Sequence, residues 1–101
     1  MAFKPRKTYA LTMNGSTVSQ ELGTGGIGQV EVSASGGDIV CKFGDSGVEA
    51  SSTVASQELD DGNFIVFSGQ SKLYSLEGET HIAMIGAAGT GYATTGHGEL
   101  I

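Results

Sequence analysis

Short apolar runs, rich in β-branched and aromatic residues, alternate along the chain with clusters of glycine and serine. Runs of this length and spacing are typical of an all-β sandwich or barrel. Apolar residues at the spacing of an amphipathic helix are nearly absent. We therefore expect an all-β fold, either a single antiparallel β-sandwich or a jelly-roll-like barrel. The pattern predicts strands over Thr8–Met13, Thr17–Leu22, Gln29–Ser33, Asp38–Phe43, Val48–Ser52, Asn63–Ser68, Lys72–Leu76, His81–Ile85 and Gly91–Thr95.

Turn residues and two-sided apolar runs refine this arrangement. Asn14-Gly15 is the strongest two-residue signal for a β-hairpin, because both positions tolerate positive φ, so we expect the first two strands to pair. Asn63–Ser68 and His81–Gly86 are apolar on both faces, which indicates central strands. One face of each strand would lie in the core, and another subunit could cover the other face. Ser51–Leu59 is the one stretch that could form a short helix, and a loop or an edge strand fits its composition equally well.

Alternation within two of the strands predicts part of the core. Val30 and Val32 share one face of their strand, and Ile39, Cys41 and Phe43 share one face of the next. Cys41 is the only cysteine, so an intramolecular disulfide and a cysteine-based zinc site are excluded. Its apolar neighbours predict a buried thiol without a reactive role.

Charge is unevenly placed along the 101 residues, whose formal net charge is −6. Lys4, Arg6 and Lys7 supply three of the five basic residues, whereas the rest of the chain has two basic residues against eleven acidic ones. We interpret residues 1–7 as a short, extended basic N-terminal arm and residues 8–101 as one β-sandwich domain. The arm is either solvated or a tether that orders against an acidic neighbour. The acidic domain repels phosphate groups and anionic lipids, so we expect neither nucleic acid nor membrane as a partner.

No secretion signal is evident, and no apolar run approaches the ~18 residues that a membrane span needs. We therefore expect the product to stay in the compartment where it is made, unless it is assembled into a larger particle.

Gly44-Asp45-Ser46-Gly47 matches the residues around the nucleophile of trypsin-like serine proteases. A nucleophilic serine needs a histidine within hydrogen-bond reach and a third group that orients this histidine. Both histidines, His81 and His97, come after the serine, and no helix follows it to form a nucleophile elbow. All four residues of the motif favour turns, so we predict a tight turn between two strands, no catalytic residue and no enzyme activity.

Gly23–Gly28, with the sequence GTGGIG, satisfies the G-x-G-x-x-G pattern of dinucleotide-binding loops. That motif must open a helix whose N-terminus holds the pyrophosphate, yet the residues that follow, QVEVSAS, have a strand pattern. We therefore predict a glycine-rich loop and no bound cofactor. The histidines lack metal-ligand spacing, and Glu58 with Asp60-Asp61 is typical of a solvated turn, so we expect no metal site.

The order of motifs in the later part of the chain resembles a family of small virion proteins of tailed bacteriophages. The resemblance rests on VEVSASGGDIVCKFGDSGVEASS and on DDGNFIVFSGQSKLYSLEGETHIAMIGAAGTGYATTGHGEL. In these segments an alternating strand precedes a strand that ends in Phe-Gly-Asp-Ser, an acidic turn precedes an apolar strand, and Thr-His-Ile-Ala-Met-Ile precedes a Gly-Thr-Gly-Tyr ending. The resemblance covers roughly Gln29–Glu99 and carries over no catalytic residue.

This resemblance implies a structural protein of the virion, made in the cytoplasm of a bacterial host and located on the particle. We expect a capsid decoration (cement) protein that binds the major capsid protein or other virion proteins and stabilises the assembled head. We also expect a homo-oligomer, with a trimer as one candidate state. The predicted contacts with the shell are Lys4, Arg6 and Lys7, and the predicted subunit interface includes Phe64, Val66, Ala83 and Ile85.

Two other functions remain open at this point. A tail, head-closure or fibre-associated component of the virion would have the same sequence features. A carbohydrate-binding β-sandwich module is the alternative from another class, although the chain has no tryptophan and only three tyrosines to stack on sugar rings.

Overall fold

The structure, a computed structural model, describes residues 3–24, 28–50, 54–55, 58–59 and 62–98. Within these residues there is no helix, which confirms the predicted all-β fold. The strands are β1 (Phe3–Thr12), β2 (Val18–Glu21), β3 (Gln29–Ser35), β4 (Ile39–Gly44), β5 (Val54–Ala55), β6 (Glu58–Leu59), β7 (Phe64–Val66), β8 (Ser71–Ser75), β9 (His81–Ile85) and β10 (Thr90–Gly98).

Eight of these strands form two four-stranded antiparallel sheets. The front sheet has the order β1-β10-β3-β8 and the back sheet the order β2-β9-β4-β7, while β5 and β6 pair with each other. In the two sheets β1 pairs with β10, β2 with β9, β3 with β8 and β4 with β7. The chain is therefore one long antiparallel hairpin, in which β1 to β4 pair with β10 to β7. The hairpin is wound so that successive strands of each half lie in opposite sheets. This is the strand arrangement of a jelly roll, one of the two architectures expected from the sequence.

The inner faces of the two sheets form the hydrophobic core. Val30, Val32, Ile39 and Cys41 are at most 1% exposed, as their alternation predicts. The buried cluster comprises Leu11, Met13, Leu22, Val30, Val32, Ala34, Ile39, Cys41, Val66, Leu76, Ile82, Met84 and Ala93.

Asn14-Gly15 does not close a hairpin, so that prediction is wrong. β1 lies in the front sheet and β2 in the back sheet, and the segment between them crosses one end of the sandwich. The Met13 N–H donates to the Gly89 carbonyl over 3.0 Å, and the Gly15 N–H donates to the Gly86 carbonyl over 2.8 Å. These hydrogen bonds and the burial of the Met13 side chain fix the crossing, so tertiary contacts override the local turn preference. Gly15 keeps the positive φ, at 89°.

β7 is an edge strand among the described residues, so the prediction that Asn63–Ser68 is central is wrong. It pairs with β4 alone in this part of the chain, whereas β9 pairs with both β2 and β4 and is central, as predicted. The two-sided apolar pattern of β7 has another cause. Val66 faces the core, while Ile65 faces outward into an apolar groove described below.

Two predictions near the tip of the long hairpin also differ from the structure. Val48–Ala50, the described part of the predicted strand Val48–Ser52, has no strand structure. Within Ser51–Leu59, where a short helix was one alternative, the described residues 54–55 and 58–59 pair as antiparallel strands. The remaining residues of both predictions lie outside the described ranges.

β1 begins at Phe3, well before the predicted strand at Thr8, so residues 3–7 of the predicted arm are extended and paired with β10. The register shifts between Pro5 and Lys7, which leaves Arg6 at a β-bulge. A proline, a bulge and exposed basic side chains are features that stop a sheet edge from pairing with another chain. The start of β1 is therefore a protected edge of the front sheet.

The two ends of the sandwich differ in charge. Four fully described loops meet at one end, and Asp38 is their one charged residue, with its Oδ1 accepting a 2.8 Å hydrogen bond from the Ser68 N–H. These loops are 13–17, 36–38, 67–70 and 86–89. Charged residues of both signs lie at or near the opposite end, namely the carboxylates Glu21, Asp45, Glu77 and Glu79 and the basic residues at the start of β1. We refer to the two as the neutral end and the charged end.

Gly89, at the neutral end, is expected not to tolerate a side chain. Its φ is +92°, and a Cβ there would overlap the Ser35 carbonyl oxygen and lie 2.8 Å from the Gly36 carbonyl carbon. Because these are backbone atoms, we expect Gly89→Ala to lower the free energy of unfolding by about 3 kcal/mol. Gly69→Ala is the matched control, since Gly69 has a φ of +84° but open space around it, and its expected cost is about 1 kcal/mol. Urea unfolding measures both losses, and equal losses would contradict the steric argument.

Candidate functional site

Gly44–Gly47 forms the turn that the sequence predicts. β4 ends at Gly44, and the Val48 N–H donates to the Asp45 carbonyl over 3.0 Å. The Gly47 N–H donates to Asp45 Oδ1, also over 3.0 Å, so the aspartate side chain closes the turn on its own backbone. Ser46 is exposed in this turn, and no hydrogen bond joins it to a histidine within the described residues.

The two histidines lie in different sheets. His81 begins β9 in the back sheet, opposite Gly44 of β4 and Glu21 of β2. Its Nδ1 is 2.8 Å from Thr80 Oγ1, so the ring is held by its neighbour in the chain. His97 is in β10 of the front sheet, where its backbone pairs with Lys4. The backbones of the two histidines therefore belong to different sheets.

Cys41 is a packing residue. It has no exposed surface, and burial raises the pKa of its thiol to about 12 from the ordinary value of 9.0. Beside it lie three rings: Phe43 and Phe64 have centroids 5.5 Å apart, and Phe64 and Tyr74 have centroids 4.4 Å apart. Burial, and secondarily the charge of a Cys41 thiolate, raise the pKa of Tyr74 as well. Since a reactive cysteine needs exposure and an accessible thiolate, this position supports the predicted inert thiol.

The glycine motif Gly23–Gly28 is described at its two ends, and residues 25–27 lie outside the described ranges. β3 starts at Gln29, directly after the motif, and the Gly28 carbonyl accepts a 2.9 Å hydrogen bond from the Leu76 N–H. A strand thus follows where a dinucleotide-binding loop would open a helix.

The described residues contain neither a cluster of metal ligands nor a membrane-spanning helix. In the part of the chain that the structure describes, no three His, Cys, Asp or Glu residues are grouped so that they could hold a metal ion. No helix long and apolar enough to cross a membrane occurs among the same residues.

The residues predicted as a subunit interface lie on both faces of the back sheet. Phe64 and Val66 face inward, where Val66 is fully buried and Phe64 packs against the core. Ala83 and Ile85 face outward, where Ala83 is fully buried and Ile85 is half-buried. Strand alternation separates the two pairs, so the four residues do not form one surface. Ile85 is the member that reaches the accessible outer face.

An apolar groove crosses the outer face of the back sheet at the neutral end. Val40 lies between Ile65 and Ile85 in register, so three branched side chains form one row. Phe67, which is 51% exposed, follows directly after β7 and extends this row. The apolar groove has a volume of about 360 Å³ and is lined by these four residues together with Gly15, Asp38, Gly86 and Ala87.

The next row on the same face is partly covered by the chain itself. It consists of Ser19, Ala83 and Lys42, and Ala83 in its centre is fully buried, whereas Ser19 is exposed. The segment after β4 returns along this face, where the Ala50 N–H donates to Thr17 Oγ1 over 3.0 Å.

The predicted shell contacts lie in β1, whose start is at the charged end. Arg6 and Lys7 are exposed, and Lys7 Nζ lies 5.3 Å from the centroid of the Tyr9 ring, within the range of a cation–π contact. Lys4 is paired through its backbone with His97. The basic residues and the apolar groove therefore lie toward opposite ends of the sandwich.

No model of a known protein family, no curated protein and no solved structure matches this chain.

Proposed function

We propose that the protein is a structural component of a tailed-phage virion, most specifically a capsid decoration protein that binds the assembled head. It would bind the major capsid protein, and other virion proteins or further copies of itself are additional partners. Binding to the assembled shell alone would stabilise that state by mass action, without any chemical step.

The observation that carries this proposal is the jelly-roll arrangement of the two sheets. Viral capsid domains commonly use this architecture, which presents loops at two ends and broad sheet faces to neighbouring proteins. Because this likeness to capsid domains concerns the fold alone, the function depends on the residues at the surface. Here an accessible apolar row at one end gives the domain a face suited to another protein.

The segments that carry the phage resemblance fall on defined elements of this fold. Phe-Gly-Asp-Ser is the end of β4 with its turn, and Thr-His-Ile-Ala-Met-Ile is the entry into β9 with the strand itself. The Gly-Thr-Gly-Tyr motif opens β10. The segments of the resemblance are therefore strands of the jelly roll and the turns next to them.

A direct test combines the purified protein with heads assembled from the major capsid protein of the same virus. We expect the protein to sediment with the heads and to raise the temperature at which they disassemble. Bovine serum albumin at the same concentration is the control for trapping. A protein that stays in the supernatant at all concentrations would contradict a role on the head.

A tail or head-closure role is separated from decoration by position on the particle. Cryo-electron microscopy of virions is expected to show copies spread over the head surface. Density confined to the tail axis or to fibres would instead favour the tail or fibre-associated alternative.

Carbohydrate binding is a second candidate, favoured by the outer face of the front sheet. Tyr92 is half-buried there, with Ala10 and Ser33 as its cross-strand neighbours. Thr8 Oγ1 and Thr94 Oγ1, 2.9 Å apart on the same face, add hydroxyl groups of the kind that bind sugars. Jelly rolls also occur in lectins. Glycan-array binding that Tyr92→Ala abolishes would support this candidate, and no binding to any glycan would remove it.

A further inference from the structure

A small pocket lies where β1 and β10 of the front sheet meet the segment that follows β2. Its volume is about 200 Å³. β1 supplies Arg6, Lys7 and Tyr9, the β2–β3 connection supplies Leu22–Thr24, and β10 supplies Thr95. No acidic side chain is among these lining residues. We call this cavity the basic pocket.

Two cations line the basic pocket because β1 is irregular at this point. In a regular strand, Arg6 and Lys7 would point to opposite faces of the sheet. The register between β1 and β10 shifts between Pro5 and Lys7, so Arg6 is the extra residue of a β-bulge. Bulges redirect side chains and are common next to active sites. The bulge therefore accounts for a guanidinium and an ammonium group, adjacent in the chain, that line one cavity.

The positive charge of this pocket is not neutralised within the described part of the chain. No carboxylate there forms an ion pair with Arg6 or Lys7. The Lys7 ammonium lies 5.3 Å from the centroid of the Tyr9 ring, which holds the cation beside the pocket. The whole chain has a formal net charge of −6, so a cavity with two cations and no acidic lining is a local exception. Such a cavity attracts a small anion.

The hydroxyl groups of the pocket have poor hydrogen-bond partners. Tyr9 Oη donates to the Leu22 carbonyl over 3.3 Å, and Thr95 Oγ1 donates to the Lys7 carbonyl over 3.4 Å. Both distances exceed the roughly 2.5–3.0 Å of a well-formed O–H···O hydrogen bond. Thr24 Oγ1 is buried and has no hydrogen-bond partner among the described residues. The wall of the pocket thus has donors to spare, which suits a ligand that supplies oxygen acceptors.

Size and the surrounding charge select a single carboxylate over a polyanion. Glu21, Glu77 and Glu79 lie at or near the same end of the sandwich, where they would repel the further phosphates of a nucleic acid. One carboxylate enters the pocket without that repulsion. Its two oxygens match the parallel N–H donors of the Arg6 guanidinium, which form strong, charge-assisted hydrogen bonds.

We propose that the basic pocket binds one acidic side chain of a neighbouring virion protein on the assembled head. This inference rests on the proposed function and adds the contact through which the domain recognises its partner. Arg6 and Lys7 bind the carboxylate, and the hydroxyls of Thr24 and Tyr9 are donors within the same cavity. Because both cations are exposed at the rim, the contact weakens as the salt concentration rises.

The first test uses the free protein, labelled with nitrogen-15, and sodium acetate as the probe. We expect the amide resonances of Lys7, Tyr9 and Thr24 to shift saturably, with a Kd of the order of 10 mM for so small a ligand. Sodium chloride at the same ionic strength controls for screening. Acetamide, which has nearly the shape of acetate without its charge, controls for non-ionic binding.

Two variants of equal charge locate the site. We expect Arg6→Gln to weaken acetate binding about threefold, as is typical of a partly exposed charge pair. Lys42→Gln removes one positive charge from the back sheet, outside the basic pocket, and should leave the Kd unchanged. Shifts that do not saturate, or that chloride reproduces, would overturn the inference. Tighter binding of inorganic phosphate than of acetate would assign the pocket to phosphate and overturn the carboxylate.

The second test uses purified heads. The double variant Arg6→Gln, Lys7→Gln is expected to bind them about tenfold more weakly than the unmodified chain, and Lys42→Gln less than about twofold more weakly. Thermal unfolding establishes that the variants remain folded. If sedimentation of the free protein shows an oligomer that the double variant dissociates, the carboxylate comes from a second copy and the contact with another virion protein is overturned.

The two tests separate this inference from the proposed function. If the unmodified chain binds heads and the double variant binds equally well, the pocket inference is overturned and the decoration role stands. If acetate does not bind the free protein, the pocket inference is overturned whatever the heads show. If the unmodified chain does not bind heads at all, the decoration role is overturned together with the partner named here.

Discussion

A thiol reagent at pH 8 is expected to modify Cys41 in the folded protein about a thousandfold more slowly than in the unfolded chain. The thiolate is the reacting form, and burial raises the pKa of this thiol to about 12 from 9.0. At pH 8 the thiolate fraction is therefore lower by about three powers of ten in the folded state. The side chain also has no exposed surface for the reagent to reach.

The experiment is simple because the chain has one cysteine. Absorbance from an aromatic disulfide reagent is followed with the native protein and with protein in concentrated urea, and glutathione serves as the freely accessible control. Rates in the folded and unfolded protein that agree within about tenfold would show that Cys41 reaches solvent through frequent local opening.

Stability should respond to pH through the same group. The unfolded thiol loses its proton near pH 9, whereas the folded thiol retains it to about pH 12. The folded state therefore binds more protons in this window, and its stability is complete below pH 9 and falls as the pH rises. Through this group, we expect the free energy of unfolding to fall by about 1.4 kcal/mol per pH unit between the two pKa values. A Cys41→Ala variant should lack this part of the slope.

Ile82→Ala is expected to lower the free energy of unfolding by about 3 kcal/mol. Ile82 is fully buried on the inner face of β9, the central strand of the back sheet, and it belongs to the core cluster. Removing its branched side chain loses apolar burial and leaves a cavity that the two sheets cannot close, because both are held by their ladders of hydrogen bonds. The loss is measured by urea unfolding.

Ile85→Ala provides the matched control on the same strand. Ile85 lies on the outer face and is half-buried, so we expect a loss of about 1 kcal/mol. Equal losses of stability in the two variants would contradict the assignment of the inner and outer faces.

Alternation predicted the inner faces well because it is a local property of each strand. Val30, Val32, Ile39 and Cys41 are buried as expected. Pairing was harder to predict, because partners such as β1 and β10 lie at opposite ends of the sequence. The Asn-Gly turn illustrates the difference: Gly15 has the positive φ that favours a turn, but hydrogen bonds to the β9–β10 loop determine where the chain goes.

The apolar groove could have been found in part from the sequence. Alternation assigns three apolar residues to an outer face, namely Val40, Ile65 and Ile85. Apolar residues at outward positions are the sequence signal for such a groove. What the sequence did not reveal is that Val40 lies between the other two, which depends on the register of three strands. The predicted interface mixed inner and outer residues for the same reason, since the face of β7 could not be matched to that of β9.

The wound hairpin also has a consequence for the order of folding. Its inner pair, β4 with β7, closes a much shorter loop than its outer pair, β1 with β10. Closing a long loop costs more entropy, so pairing should advance from the tip outward, with each completed pair shortening the loop that the next pair must close. The first and last strands would then join the front sheet together, in the final step, and a newly made chain would remain unable to complete that sheet until β10 has been synthesised.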